Sequence, residues 1–270
     1  MPKTHNLLMS PSMVLATLRE IETPGTGKTV TRRLPLDPVP DQPKADSHKA
    51  HKQKHPEPYL DAYCGERKTA ANPRGQSKIW NWWQVDDRMC WPQFNVKYAP
   101  GDLIYVREHW KSDRQYDDLA PSEMGGEEPL IYLADKTVQR WGWKPDVMSR
   151  WGRHRQAMHM PRWASRITLE VTSVKVERLQ DITEEQARKE GIERLKSGRG
   201  YYDPTESKGM VHLGHYLPSA KAAFEILWDS LNGKPRKPGG PDISWDANPW
   251  VVAIGYTPHL VNVDSWEQKS

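Results

Sequence analysis

The sequence predicts an α+β protein in which a small mixed or closed β-sheet is flanked by few helices. Three observations lead there. Several short segments alternate apolar and β-branched residues with polar ones. Only three stretches carry a helical period with recognisable caps. The longest strand-like segment changes phase halfway, as a β-bulge requires, and bulges bend strands toward barrels.

Leu7–Met9 reads as a short strand. Ser10 then caps a helix with Pro11 at its first position, and Val14, Leu15, Leu18 and Ile21 form the apolar stripe. The turn Thr23-Pro-Gly-Thr-Gly27 ends it, and Lys28-Thr-Val-Thr-Arg-Arg33 follows in β-like alternation. From Leu34 to about residue 95 the chain is rich in Pro, Lys, His, Asp and Gln. It shows little periodicity before Ile79-Trp-Asn-Trp-Trp83, so most of it is expected to be a long, partly irregular insertion. Gly101–Trp110 predicts a strand with Ile104, Val106, Glu108 and Trp110 on one face and Leu103, Tyr105, Arg107 and His109 on the other. Leu130–Ala134 reads as a short strand and Arg166–Leu179 as a long one. In the long strand Ile167, Leu169 and Val171 alternate, and Val174 and Val176 resume out of phase near Ser173. Thr183 and Gln186 form a capping box for a helix stopped by Gly191. A further helix runs from about Pro218 to Leu231, and Pro249–Tyr256 is a closing apolar strand. The whole chain, 1–270, reads as one domain with the insertion at about 34–95 and a basic, Trp-rich excursion at about 136–162.

Composition narrows the function classes. Of 270 residues 36% are hydrophobic, and 13 Trp stand against 2 Phe, a bias that suits wet pockets as well as cores. Cys64 and Cys90 are the only cysteines, and no Cys/His pair has zinc spacing. His48, His51 and His55 sit in a Lys- and Pro-rich context that reads as a solvated loop. No metal or cofactor is expected. No stretch has the length or apolarity of a membrane span, and a cytoplasmic location is expected. The net charge of +4 is unevenly spread. Arg140, Lys144, Arg150, Arg153, Arg155, Arg162 and Arg166 cluster among Trp141, Trp143, Trp151 and Trp163, while residues 113–135 are acidic. Such a basic, aromatic stretch fits a phosphate backbone with stacked bases, with Arg150, Arg153, Arg155 and Arg162 as the contacts. It fits a solvated basic face equally well.

Pro24-Gly-Thr-Gly-Lys-Thr29 looks like a phosphate-binding loop but fails the pattern, because the required first glycine is Glu22 and no strand precedes it. What the turn does offer is Lys28 close to Thr31. A lysine beside a threonine hydroxyl is a workable base–nucleophile pair when burial lowers the pKa of the amine.

The order of these segments resembles a known family. An N-terminal helix is followed by Gly-Lys-Thr-Val-Thr-Arg-Arg (27–33), Gly-Asp-Leu-Ile-Tyr-Val-Arg-Glu (101–108), Ile-Thr-Leu-Glu-Val-Thr (167–172), Leu-Gln-Asp-Ile-Thr-Glu-Glu-Gln-Ala-Arg-Lys-Glu-Gly-Ile (179–192) and a closing strand (250–256). The pattern is similar to the ASCH domain, a PUA-like β-barrel. The long insertions and Leu-Trp-Asp-Ser-Leu-Asn-Gly (227–233) look like the larger members found in bacteriophages. The resemblance implies an amidohydrolase that removes an acyl group from N4-acylated cytidine. Lys28, Thr31 and Glu190 match its catalytic positions, and Arg33 matches a neighbouring basic one. Thr31 would attack the amide carbonyl, Lys28 would take its proton, and Glu190 would orient Lys28 or protonate the leaving amine. Arg107, Glu108 and Trp110 are further candidates for holding substrate, with Glu108 expected to pair with Arg32 or Arg33. The alternatives are an RNA- or DNA-binding PUA-like module without catalysis, or a ribonuclease.

Overall fold

A computed structural model describes residues 3–44, 57–84, 89–139, 151–195, 200–202, 217–233 and 239–267. Its elements in chain order are β1 (Thr4–Leu8), α1 (Pro11–Glu22), β2 (Val30–Arg33), β3 (Tyr59–Cys64), β4 (Gln76–Trp83), β5 (Met89–Asn95), β6 (Leu103–Arg107), β7 (Trp110–Ser112), β8 (Leu130–Tyr132), β9 (Val138–Gln139), β10 (Thr168–Arg178), α2 (Glu184–Lys189), β11 (Glu193–Arg194), β12 (Tyr201–Tyr202), α3 (Ala220–Asn232), β13 (Trp250–His259) and α4 (Val263–Glu267). The architecture is mixed α+β, with short 3-10 turns between elements. The central sheet has five strands in the order β1-β6-β10-β13-β2 and is open: no pairing among the described residues joins its edges β1 and β2.

β10 and β13 pair over their whole length, and the register slips between Val171 and Ser173. Thr172 is the extra residue. Were the strand to alternate regularly through Thr172, Val174 and Val176 would turn to the opposite face from Val171. One face of the sheet buries Leu7, Val106, Leu169, Val171, Ile254 and Tyr256 against Val14 of α1 and against Trp80 and Phe94. The other buries Val251 and Leu179 under α2 and α3, through Ala187, Phe224, Leu227 and Trp228. Ser10 accepts from the Met13 amide at the start of α1, and Thr183 and Gln186 close a capping box on α2, as their spacing predicts.

Two sequence expectations are corrected. The insertion carries more regular structure than its composition suggests, because β3, β4 and β5 form an antiparallel sheet packed on the core. Its alternation is concealed for two reasons: Gln76, Ser77 and Asn81 are themselves buried, and a register shift lies between Trp80 and Trp82. The strand expected at 101–110 breaks after Arg107, and Trp110 begins a second small sheet, β7-β8-β9, with its own core of Leu130, Tyr132 and Met160. His48, His51, His55, Arg150 and the basic run 140–150 lie outside the described residues. Among the described residues no helix is long and apolar enough to cross a membrane.

Candidate active site at the Gly27–Arg33 turn

The turn after α1 is fixed by backbone hydrogen bonds. The Glu20 carboxylate accepts from the amides of Gly25 (2.9 Å) and Gly27 (2.8 Å). Lys28 N donates to Ala16 O at 3.0 Å, and Thr29 N donates to Lys189 O at 2.9 Å. Lys28 is thus clamped between α1 and the end of α2. Gly27 permits the close approach: a Cβ there would lie 2.2 Å from Ala16 O and 2.4 Å from Glu20 N, both backbone atoms. Gly27→Ala is therefore expected to lower stability by on the order of 3 kcal/mol, read from the urea midpoint, because α1 has to move.

Gly191, at φ +104°, ends α2 in a conformation that L side chains rarely adopt, and this leaves Glu190 as the cap. The Lys28 ammonium donates to Glu190 O at 2.7 Å and to Glu190 Oε2 at 2.6 Å. It thereby satisfies an orphan helix carbonyl and offsets a carboxylate at the negative helix end. The other carboxylate oxygen, Glu190 Oε1, accepts from Arg32 Nη1 at 3.1 Å. Arg32 continues to Glu177 Oε1 through Nη2 (2.6 Å) and Nε (3.2 Å), and Lys175 pairs with Glu177 at 2.7 Å. The result is an alternating chain, Lys28–Glu190–Arg32–Glu177–Lys175, whose first four members are buried. Burial lowers the Lys28 pKa below that of an ordinary amine; Glu190 opposes this and Arg33 and Arg32 reinforce it.

Thr31 is fully buried on the opposite face of β2 from Arg32, and its hydroxyl has no hydrogen-bond partner. A cavity of about 490 Å³ adjoins the ion chain. Glu190 and Arg32 form part of its floor, Arg33, Lys97 and Tyr98 line it, and apolar wall comes from Leu34, Phe224, Leu227, Trp228 and Val252. Thr31 and Lys28 are not among the lining residues. Lys28 and Glu190 are therefore in contact and Glu190 faces the cavity, whereas Thr31 bonds to neither.

The other candidates stand elsewhere. Glu108 does pair with a cation, but with Arg166 rather than Arg32 or Arg33: Nε and Nη2 reach its two oxygens at 2.8 and 3.0 Å. Trp110 is fully buried with the Arg155 guanidinium 5.2 Å over its ring, so its face is not open to a base. Arg107 donates to the carbonyls of Met158 and Met160. Arg155 is buried and donates to the carbonyls of Tyr116 and Leu119. Arg162 pairs with Asp264 at 2.7 Å, and Arg153 is exposed. The acidic segment answers the basic one: the Arg153 amide donates to Asp117, and Arg166 pairs with Asp135 at 2.8 Å.

Arg32, Glu177 and Lys97 belong to the site and were not singled out for it by sequence. The Arg32-Arg33 dipeptide was a usable signal, since a strand sends the two cations to opposite faces. Nothing local marks Glu177 or Lys97. Among the described residues no group of three or more His, Cys, Asp or Glu is placed to hold a metal ion. Comparisons with family models, with curated proteins and with solved structures return no match to this chain.

Proposed function

We propose that the chain is an amidohydrolase that removes the acyl group from N4-acylated cytidine or a related modified nucleoside, on an ASCH/PUA-like scaffold. The observation that carries this reading is the contact between a fully buried Lys28 and Glu190 at 2.6 Å, with Glu190 on a cavity wall and Thr31 three residues along the same strand segment. Water is excluded from Lys28, and the lowered affinity of the amine for its proton suits a base. In the reaction Lys28 first passes its ammonium proton to Glu190, and the Thr31 oxygen then attacks the acyl carbon while its proton passes to the neutral amine. The C–N bond then breaks, and the leaving N4 amine takes a proton relayed from Lys28 through Glu190. Water hydrolyses the acyl ester and restores Thr31.

The test is incubation with N4-acetylcytidine, with release of cytidine and acetate as the expected result and an unchanged substrate as the refuting one. Thr31→Val separates chemistry from folding. The Thr31 hydroxyl is buried without a partner, so the isosteric change leaves stability unchanged or raises it by about 1 kcal/mol. Hydrolysis should fall to background, and a Thr31→Val enzyme that retains full turnover would exclude Thr31 as nucleophile. The polymer-binding reading has less support, because Arg155 and Arg162 are already engaged with protein groups.

A further inference from the structure

Within the cavity the charges do not balance. Among the described residues Glu190 is its only lining carboxylate, and it is already engaged by Lys28 and Arg32. Two more cations, Arg33 and Lys97, line the same space with no carboxylate partner among the described residues. Arg33 is held in place rather than free to swing: Nη1 donates to Arg32 O at 3.0 Å and Nη2 to Leu8 O at 3.3 Å. Three of its five N–H donors remain open. Lys97 Nζ stands 5.3 Å from the ring centre of Tyr98, and Tyr98 lines the cavity with both cations. Burial and the nearby Lys78 both disfavour the charge on Lys97.

Around these cations the surface is apolar. Leu8, Leu36 and Leu231, exposed at 47%, 71% and 57%, form the rim, and Leu34, Phe224 and Trp228 lie along the wall. An anchored guanidinium with open donors and a lysine without a carboxylate partner among the described residues suit a group of two negative charges and three acceptor oxygens. The apolar wall suits a planar ring attached to that group, and the volume lies within the range of small-molecule sites.

We propose that Arg33 and Lys97 form an anion subsite for a phosphate monoester, so that the cavity takes a pyrimidine nucleoside 5′-monophosphate in preference to the neutral nucleoside. The pyrimidine half of this assignment rests on the hydrolase reading; the anion subsite rests on the two uncompensated cations. Titration calorimetry on the full chain compares cytidine 5′-monophosphate, cytidine and inorganic phosphate. The monophosphate is expected to bind at least about tenfold more tightly than cytidine. That advantage should shrink with added salt and disappear in Lys97→Met. Equal affinity for cytidine and its monophosphate, or an advantage that survives Lys97→Met, overturns the proposal. Inorganic phosphate binding as tightly as the monophosphate overturns the nucleotide assignment. N4-acetylcytidine and its 5′-monophosphate, offered as substrates in parallel, keep the two readings apart. If neither is hydrolysed while the Lys97-dependent preference persists, the hydrolase reading fails and the subsite stands.

Discussion

Glu190→Gln is expected to destabilise the protein by about 3–5 kcal/mol, and no other single change at the site should cost more. The carboxylate neutralises two buried cations at once, Lys28 at 2.6 Å and Arg32 at 3.1 Å. An amide keeps the shape and removes the charge, which leaves an ammonium with no other carboxylate partner among the described residues and no access to water. Arg32 suffers less because Glu177 still holds it at 2.6 Å. Denaturant midpoints for Glu190→Gln, Lys28→Met and the double variant check the account. The double variant should lose markedly less than the sum of the single losses, since removal of Lys28 eliminates the uncompensated charge. Additive losses would show that the two residues act independently. Hydrolysis should be absent from all three variants.

Arg166→Met is the second large effect, expected at about 3–5 kcal/mol near neutral pH. Arg166 bridges Glu108 and Asp135 and lies 4.0 Å over the Tyr132 ring, and Glu108 is only 1% exposed. Its removal strands a buried carboxylate. The pH dependence has a definite sign. Burial raises the Glu108 pKa in the folded state even with Arg166 present, so its protonated form is the better tolerated one inside the protein. A carboxyl with a raised folded pKa favours folding below that pKa and loses this contribution as pH rises through it. Without Arg166 the Glu108 pKa rises further, and the deficit of the variant should shrink when pH falls from 7 to about 4.5. Asp135 behaves oppositely in the wild type. Burial disfavours its charge, but Arg166 and Thr137 hold its pKa down at about 2. Its stabilisation, about 1 kcal/mol after allowance for its exposure, is present above the usual carboxylate range and is lost as pH falls toward 2. Urea midpoints at pH 7 and 4.5 measure the difference, and an equal deficit at both values would count against Glu108 as its cause.

The elements legible in the sequence are those whose cause lies within a few residues. The Ser10-Pro11 cap, the Thr183/Gln186 box, the Gly191 stop and the phase change near Ser173 act over one helical turn or one ladder step, and each is present in the structure. The β3–β5 sheet was not legible, because buried Gln76, Ser77 and Asn81 break the apolar count that marks a strand. Glu108 showed the same limit. Alternation turned it toward an apolar face and implied a cation, but not which one, and its partner Arg166 is 58 residues away.

The Gly27–Arg33 turn divides the same way. Its sequence by itself determined a glycine turn that presents a lysine, a threonine and two arginines in extended alternation. Only the tertiary structure decided that Lys28 meets Glu190, 162 residues later, that Arg32 turns to Glu177, and that Arg33 shares a cavity with Lys97. Local backbone preferences are encoded in neighbouring residues. The pairing of buried charges depends on which strands and helices pack together, and no window of sequence contains that choice.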